Sequence, residues 1–261
     1  MELKNGIMDV LPLYFNEHIV KHFEIDASGR FSLAALANLV QEDAAEHARR
    51  LKVGYRDLLK NNLAWMMARA RFRFLGSPEL GKNIETETWV KDHDRMFSYR
   101  DFHFKFNEEV FAVVNTAWLI ANIETKKMIS PEEYIKYSFK LKNRCLVNDE
   151  IPKLKGVEGQ AEHVFMHKVK FSNIDLNHHV NNVSYLQWYL DYIPNDVALY
   201  PLNELVVNYL HEVRLNDKVS IYYDIKPGDN LIHVTCEMVN AATDQPACRI
   251  EAIHQKHKTS E

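Results

Sequence analysis

RFSLAALANLVQEDAAEHARRL (residues 30–51), followed by LAWMMARARFRFL (residues 63–75), decides the fold, because the hydrophobic period changes between them. In the first segment Leu33, Leu36, Ala37, Val40 and Ala44 share one face at helical spacing, and Ser32 stands where an N-cap is needed. The small alanines allow that helix to pack closely beneath a sheet. In the second segment Ala68, Ala70, Phe72 and Phe74 alternate with Arg69, Arg71 and Arg73, which reads as a half-buried strand with its arginine face in water. The alternation continues through NIETETWV (83–90), FSYRDFHFKF (97–106) and EVFAVVNTAWLIANI (109–123). Gly76-Ser77-Pro78, Asp92-His93-Asp94 and Asn107-Glu108-Glu109 supply the turns between them. A helix followed by adjacent strands indicates an antiparallel sheet packed on a helix, an α+β unit.

Working outward, Leu13 to Ile25 reads as an initial strand. His18 and His22 are spaced as a helical metal pair, but no local carboxylate or cysteine completes a site, so both read as solvated. A short helix fits Tyr55 to Lys60. Residues 141–162, LKNRCLVNDEIPKLKGVEGQAE, are polar without a period and read as a linker. The same plan then begins again. A strand near Val164 to Phe171 leads to a helix, then to NELVVNYLHEV, VSIYYDI, LIHVTCEMV and ACRIEAIH as strands, with Pro227-Gly228-Asp229-Asn230 as a turn. The expected division is an N-terminal module at 1–140, a linker at 141–162 and a C-terminal module at 163–261, the two modules pairing edge to edge and covering both helices.

The totals exclude several classes. A net charge of -4 gives no footprint for nucleic acid. Three widely separated cysteines, Cys145, Cys236 and Cys248, make neither a C-x-x-C pair nor a disulfide framework. No basic segment followed by an apolar run opens the chain, and no apolar run is long enough for a bilayer, so the expected compartment is the cytoplasm and no membrane partner is expected.

The chemistry is expected in NIDLNHHVNNVSYLQWYLDYI (173–193). If its start is extended, Asp175, Asn177 and His179 leave the same side of the backbone, and His178 points away to the surface. Val183, Leu186, Leu190 and Ile193 then recur at helical spacing, with Asn181 or Asn182 as N-cap. An acid, an amide and an imidazole thus precede a helix N-terminus, which favours developing negative charge. Asp, Asn and His are also ordinary turn and cap residues, and the local pattern alone does not separate the two readings. The first copy has Glu24 and Asp26 before its helix but no Asn-x-His, so one site per chain is expected.

DLNHHVNNVSYLQWYLD (175–191) and ELVVNYLHEVRLND (204–217) resemble the acyl-acyl-carrier-protein thioesterases of the plant and bacterial kind. LANLVQEDAAEHA, NLAWMMARARFRF and NIETETWV in the first half are similar to their family counterparts, and the resemblance spans about residues 10 to 255. It implies a double hot-dog fold, two helix-plus-sheet modules in one chain, and hydrolysis of fatty acyl-acyl-carrier-protein to free fatty acid and carrier thiol. It also implies that Asp175, Asn177, His179 and Glu212 are site residues. Many plant members have a cysteine directly after that glutamate, once proposed as a nucleophile. Val213 stands there in this chain, which puts a cysteine mechanism in doubt. The plant members' transit peptide and N-terminal hydrophobic segment have no counterpart here, as expected of a bacterial protein.

On this basis helix N–H groups, with the Asn177 amide or His179, hold the thioester oxygen or orient water, and Glu212 or Asp175 serves as base. Direct attack by Asp175 to give an anhydride is the variant. A thiolate leaves readily, so neither a metal nor a redox cofactor is required. Trp65, Met66 and Met67 are candidates for the wall of an acyl tunnel, although core packing explains them equally well. The expected partner is acyl carrier protein, whose acidity calls for a basic patch from Arg69, Arg71, Arg73 or the linker; a homodimer is left open. The rivals are a non-catalytic acyl-binding hot-dog protein and a hot-dog dehydratase or hydratase.

Overall fold

Ser32 accepts the Ala35 N–H at 3.1 Å and starts α1 (Leu33–Arg50) where the sequence puts it. The computed structural model describes residues 12–135, 141, 144, 150–157, 161 and 163–256. Cys145 lies outside the described residues. Besides α1, the N-terminal half holds β1 (Leu13–Ile19), α2 (Tyr55–Leu59), β2 (Leu63–Phe74), β3 (Asn83–His93), β4 (Ser98–Phe106), β5 (Glu109–Asn122), β6 (Met128–Ile129) and α3 (Pro131–Tyr134). The C-terminal half holds β7 (His163–Lys168), α4 (Asn182–Tyr192), α5 (Asn195–Leu199), β8 (Leu202–Tyr209), β9 (Lys218–Pro227), β10 (Leu231–Asn240) and β11 (Gln245–Gln255).

The strands form one 11-stranded antiparallel sheet in the order β1-β3-β4-β5-β2-β8-β11-β10-β9-β7, with β6 paired to β5. The halves join through β2 and β8, where Ala70 faces Val207 and Phe72 faces Leu205. All four side chains are buried in one core with Leu36 and Val40 of α1 and Leu186 and Tyr189 of α4. That shared core is the physical reason for the edge-to-edge union: each half alone would leave a sheet edge unpaired and one helix face wet. The tight β4–β5 turn works because Asn107 and Glu108 both adopt left-handed φ, 49° and 65°, which suits the strands' twist.

Two expectations about exposure fail. Segment 150–157 crosses the arginine face of β2, burying Ile151 and Leu154. Arg69 donates to the Ile151 carbonyl at 3.1 Å, and Leu154 N–H donates to Asn208 Oδ1 at 2.8 Å. Arg71 is 7% exposed and Arg73 pairs with Glu204. The face expected to be wet is therefore covered, and these three arginines are engaged within the protein rather than open to a carrier. Alternation tells which residues share a face, not whether a distant segment lies on it. His18 is likewise not solvated: its ring lies 2.8 Å from Glu24, which a 3-10 turn at His22–Glu24 folds back onto β1.

Candidate active site

Residues 174–180 do not form the extended segment expected of them. Ile174 and Val180 pair as an isolated bridge, and the residues between close a tight turn. Asp175 Oδ1 accepts the Asn177 N–H at 2.8 Å, Asp175 N–H donates to the His179 carbonyl at 2.9 Å, and His178 is left-handed at φ 63°. The short Asp side chain bonding its own backbone outcompetes the strand, so Asp175, Asn177 and His179 are gathered around a bend rather than spaced along a ribbon. His178 is exposed, as expected. The first half contains the same device at 25–31. Ile25 bridges Phe31, Asp26 Oδ1 accepts the Ser28 N–H at 2.8 Å, and Gly29 takes the left-handed position at φ 77°. There Ser28 and Arg30 stand where the second copy has Asn177 and His179.

Glu212 lies in the loop after β8, not in a strand. A backbone bond sets its distance from the turn: Val180 N–H donates to the Val213 carbonyl at 2.9 Å, with the Val213 side chain fully buried. With those neighbours tied together, His179 Nε2 sits 3.0 Å from Glu212 Oε2. The two side chains are 23% and 28% exposed, so the pair is reachable from solvent but partly desolvated. Burial is the largest influence on the His179 imidazole and pushes its pKa down; Glu212 pulls it up, Lys126 and Arg214 push it down, and Asp175 pulls it up. The net result is below the ordinary value. Asp175 is turned toward Asn177, whose amide nitrogen lies 3.4 Å from Oδ2.

Asn181 caps α4, accepting the Val183 N–H at 2.8 Å. The N–H groups of Asn181 and Ser184 donate to the carbonyls of Asn173 and Asn181. Among the described residues, the Asn182 N–H is the donor of this first turn with no partner.

Lys126 was not legible in the sequence. It comes from the N-terminal half, in the turn between β5 and β6, and its Nζ lies 3.0 Å and 3.2 Å from the two Glu212 oxygens. A lysine in a polar hairpin turn carries no pattern that could single it out. The three candidates for an acyl wall are divided by the register of β2. Trp65 and Met67 point to the helix side, where Trp65 donates to the Val53 carbonyl at 2.8 Å and Met67 is buried. Met66 faces the opposite side and is 37% exposed, so it shares no wall with them. Cys236 and Cys248 are buried in the core, where burial pushes both thiols up. Among the described residues, no three His, Cys, Asp or Glu side chains converge as a metal's ligands would, and no helix is long and apolar enough to cross a membrane.

Comparison with known proteins bears on this arrangement. The family model of the acyl-ACP thioesterase N-terminal domain matches residues 12–137, and that of the C-terminal domain matches residues 156–256. The oleoyl-acyl carrier protein thioesterase 1 of Arabidopsis thaliana is 26% identical over 231 residues, covering 79% of this chain and 62% of that protein. The dodecanoyl-[acyl-carrier-protein] hydrolase of Cinnamomum camphora is 22% identical over 233 residues, covering 84% of this chain and 61% of that protein. The chain thus spans about three fifths of the length of these curated relatives. Among solved structures, an acyl-ACP thioesterase from Bacteroides thetaiotaomicron superposes with a TM-score of 0.79 at 22% identity over 94% of this chain and 98% of that one. The 12:0-ACP thioesterase from Umbellularia californica gives 0.82 at 17% identity over 95% of each chain. These likenesses establish the double hot-dog fold. With both family models matched in order along almost the whole described chain, this protein belongs to the acyl-ACP thioesterase family.

Proposed function

We propose that this chain hydrolyses fatty acyl thioesters of acyl carrier protein to free fatty acid and carrier thiol. The observation that carries hydrolysis is the 3.0 Å approach of His179 Nε2 to Glu212 Oε2 beside the open start of α4. An ionised carboxylate offers no proton, so in the neutral ring the hydrogen sits on Nε2, facing Glu212, and the lone pair is left on Nδ1. In this reading that lone pair takes a proton from water as the oxygen attacks the thioester carbon. The Asn182 N–H receives the carbonyl oxygen as it becomes an oxyanion, with the Asn177 amide as a second donor. Collapse breaks the carbon–sulfur bond, and the proton passes from His179 to the departing thiolate. Asp175 shapes the turn through the Asn177 N–H, which favours water over Asp175 itself as the attacking group. Family membership supports the fatty acyl and carrier parts of the substrate. Trp65 and Met67, on the helix side of the N-terminal module, are the wall residues this reading keeps.

The test is a panel of saturated acyl thioesters on acyl carrier protein and on coenzyme A at several chain lengths, with free thiol measured. Thiol release from saturated carrier-bound chains is expected. A dehydratase or hydratase acts only on 3-hydroxy or 2-enoyl groups, and a binding module releases nothing, so silence with every saturated substrate would sink the proposal.

The pH dependence follows from the imidazole. The neutral ring is the working form, so activity is present above the His179 pKa and is lost as pH falls through it. Because burial lowers that pKa, the acid limb of kcat/KM is expected below the ordinary histidine value of 6.5. A limb centred above that value would contradict the assignment.

A further inference from the structure

We infer that Lys126 is a positioning residue for the hydrolytic pair, supplied by the N-terminal module to a site whose other groups come from the C-terminal one. The inference rests on the proposed hydrolysis by His179 and Glu212 and adds a component to it. Two observations bear on it.

The first is contact. The ammonium group spans both carboxylate oxygens of Glu212, at 3.0 Å and 3.2 Å, while Oε2 also lies 3.0 Å from His179. A cation touching both oxygens fixes the rotation of the carboxylate and so keeps Oε2 directed at the imidazole. The second is backbone conformation. Lys126 is left-handed at φ 59°, a region that glycine enters freely and a residue with a Cβ does not. The turn holds it there. Asn122 Oδ1 accepts the N–H groups of Glu124 and Thr125 at 3.1 Å and 2.8 Å, Lys126 N–H donates to the Asn122 carbonyl at 2.9 Å, and Asn122 N–H donates to the Lys127 carbonyl at 2.9 Å.

Stability does not account for a lysine at this position. Its side chain is 53% exposed, and an ion pair so open to water adds little. A glycine would relieve the left-handed conformation and lose only that weak contact. Left-handed φ also occurs at Lys52 and Glu108, away from this pair, so it is the contact with both Glu212 oxygens that points to a role in the chemistry. The charged groups facing His179 are Glu212 and Arg214 from the loop after β8, Lys126 from the β5–β6 turn, and Asp175 from its own turn. Lys126 opposes protonation of the ring, so it also holds the imidazole in its working, neutral form.

The test compares Lys126→Gly, Lys126→Met, Lys126→Arg and Glu212→Gln in the full chain, using a saturated acyl-carrier-protein thioester. Lys126→Gly and Lys126→Met are expected to lower kcat roughly 10- to 100-fold by loosening the geometry, with KM changed less than about twofold. Their acid limb moves to higher pH, because a cation that opposed protonation has gone. Lys126→Arg recovers most of kcat, and Lys126→Gly melts no lower than the parent. Lys126→Met combined with Glu212→Gln loses no more than Glu212→Gln alone. If Glu212→Gln abolishes turnover while Lys126→Met leaves kcat and the acid limb unmoved, or changes KM alone, the inference fails and the hydrolytic reading stands. If Glu212→Gln itself turns over normally, the hydrolytic reading falls and Lys126 has no pair to position.

Discussion

Glu212→Ala and His179→Ala are each expected to lower turnover about 100- to 1,000-fold without unfolding the protein, when thiol release is followed on a saturated acyl-carrier-protein thioester. The magnitude is that of an acid–base group removed from a prearranged site. Neither side chain belongs to the hydrophobic core, and each is roughly a quarter exposed, so truncation opens no cavity and the loss falls on kcat rather than on the melting temperature. Glu212→Gln keeps the shape and removes the charge, and it is expected to fall nearly as far. The double variant is expected to be little worse than either single one, because the two groups act as a unit. Asp175→Ala and Asn177→Ala are expected to lose turnover on the same scale by a different route. The first removes the acceptor that bends the turn, and the second removes an amide at its tip. Asp175→Asn retains an oxygen for the Asn177 N–H and is therefore expected to retain more activity than Asp175→Ala. Near-normal turnover in folded Glu212→Ala or His179→Ala would remove the pair from the chemistry.

Phe72→Ala is expected to destabilise the protein by about 3–5 kcal/mol, the usual cost of removing a fully buried aromatic ring. Phe72 sits in β2, faces Leu205 of β8 across the junction, and is 1% exposed in a core that contains both central helices. The sheet is continuous and the core shared, so the halves are expected to unfold together. Denaturant melts followed by far-ultraviolet circular dichroism and by tryptophan fluorescence should coincide, in the parent and in the variant. A loss under about 1 kcal/mol, or two separated transitions, would show that the junction is an ordinary surface contact between independent modules.

The elements were legible where a local cause sufficed. Ser32 and Asn181 cap helices because each bonds an N–H within its own first turn, and the alternating strands from Leu63 to Asn122 follow from side chains leaving a ribbon on opposite faces. The 174–180 turn is not legible because alternation fits a strand and an Asx turn equally well, and only the competition between Asp175 and the strand ladder resolves it. The same limit explains His18, which folding brings to Glu24; Met66, by contrast, is legible from the twofold period of β2, which already sets it on the face opposite Trp65 and Met67.

By itself the sequence determined two helix-and-sheet modules, their order, and the residue types gathered before the second helix, since those properties depend on neighbours along the chain. Tertiary structure alone decided that segment 150–157 covers the arginines of β2, that Val180 and Val213 bring His179 to Glu212, and that Lys126 arrives from the other half. These contacts join residues far apart in the chain, and the period of a pattern carries no information about what the fold brings across from elsewhere.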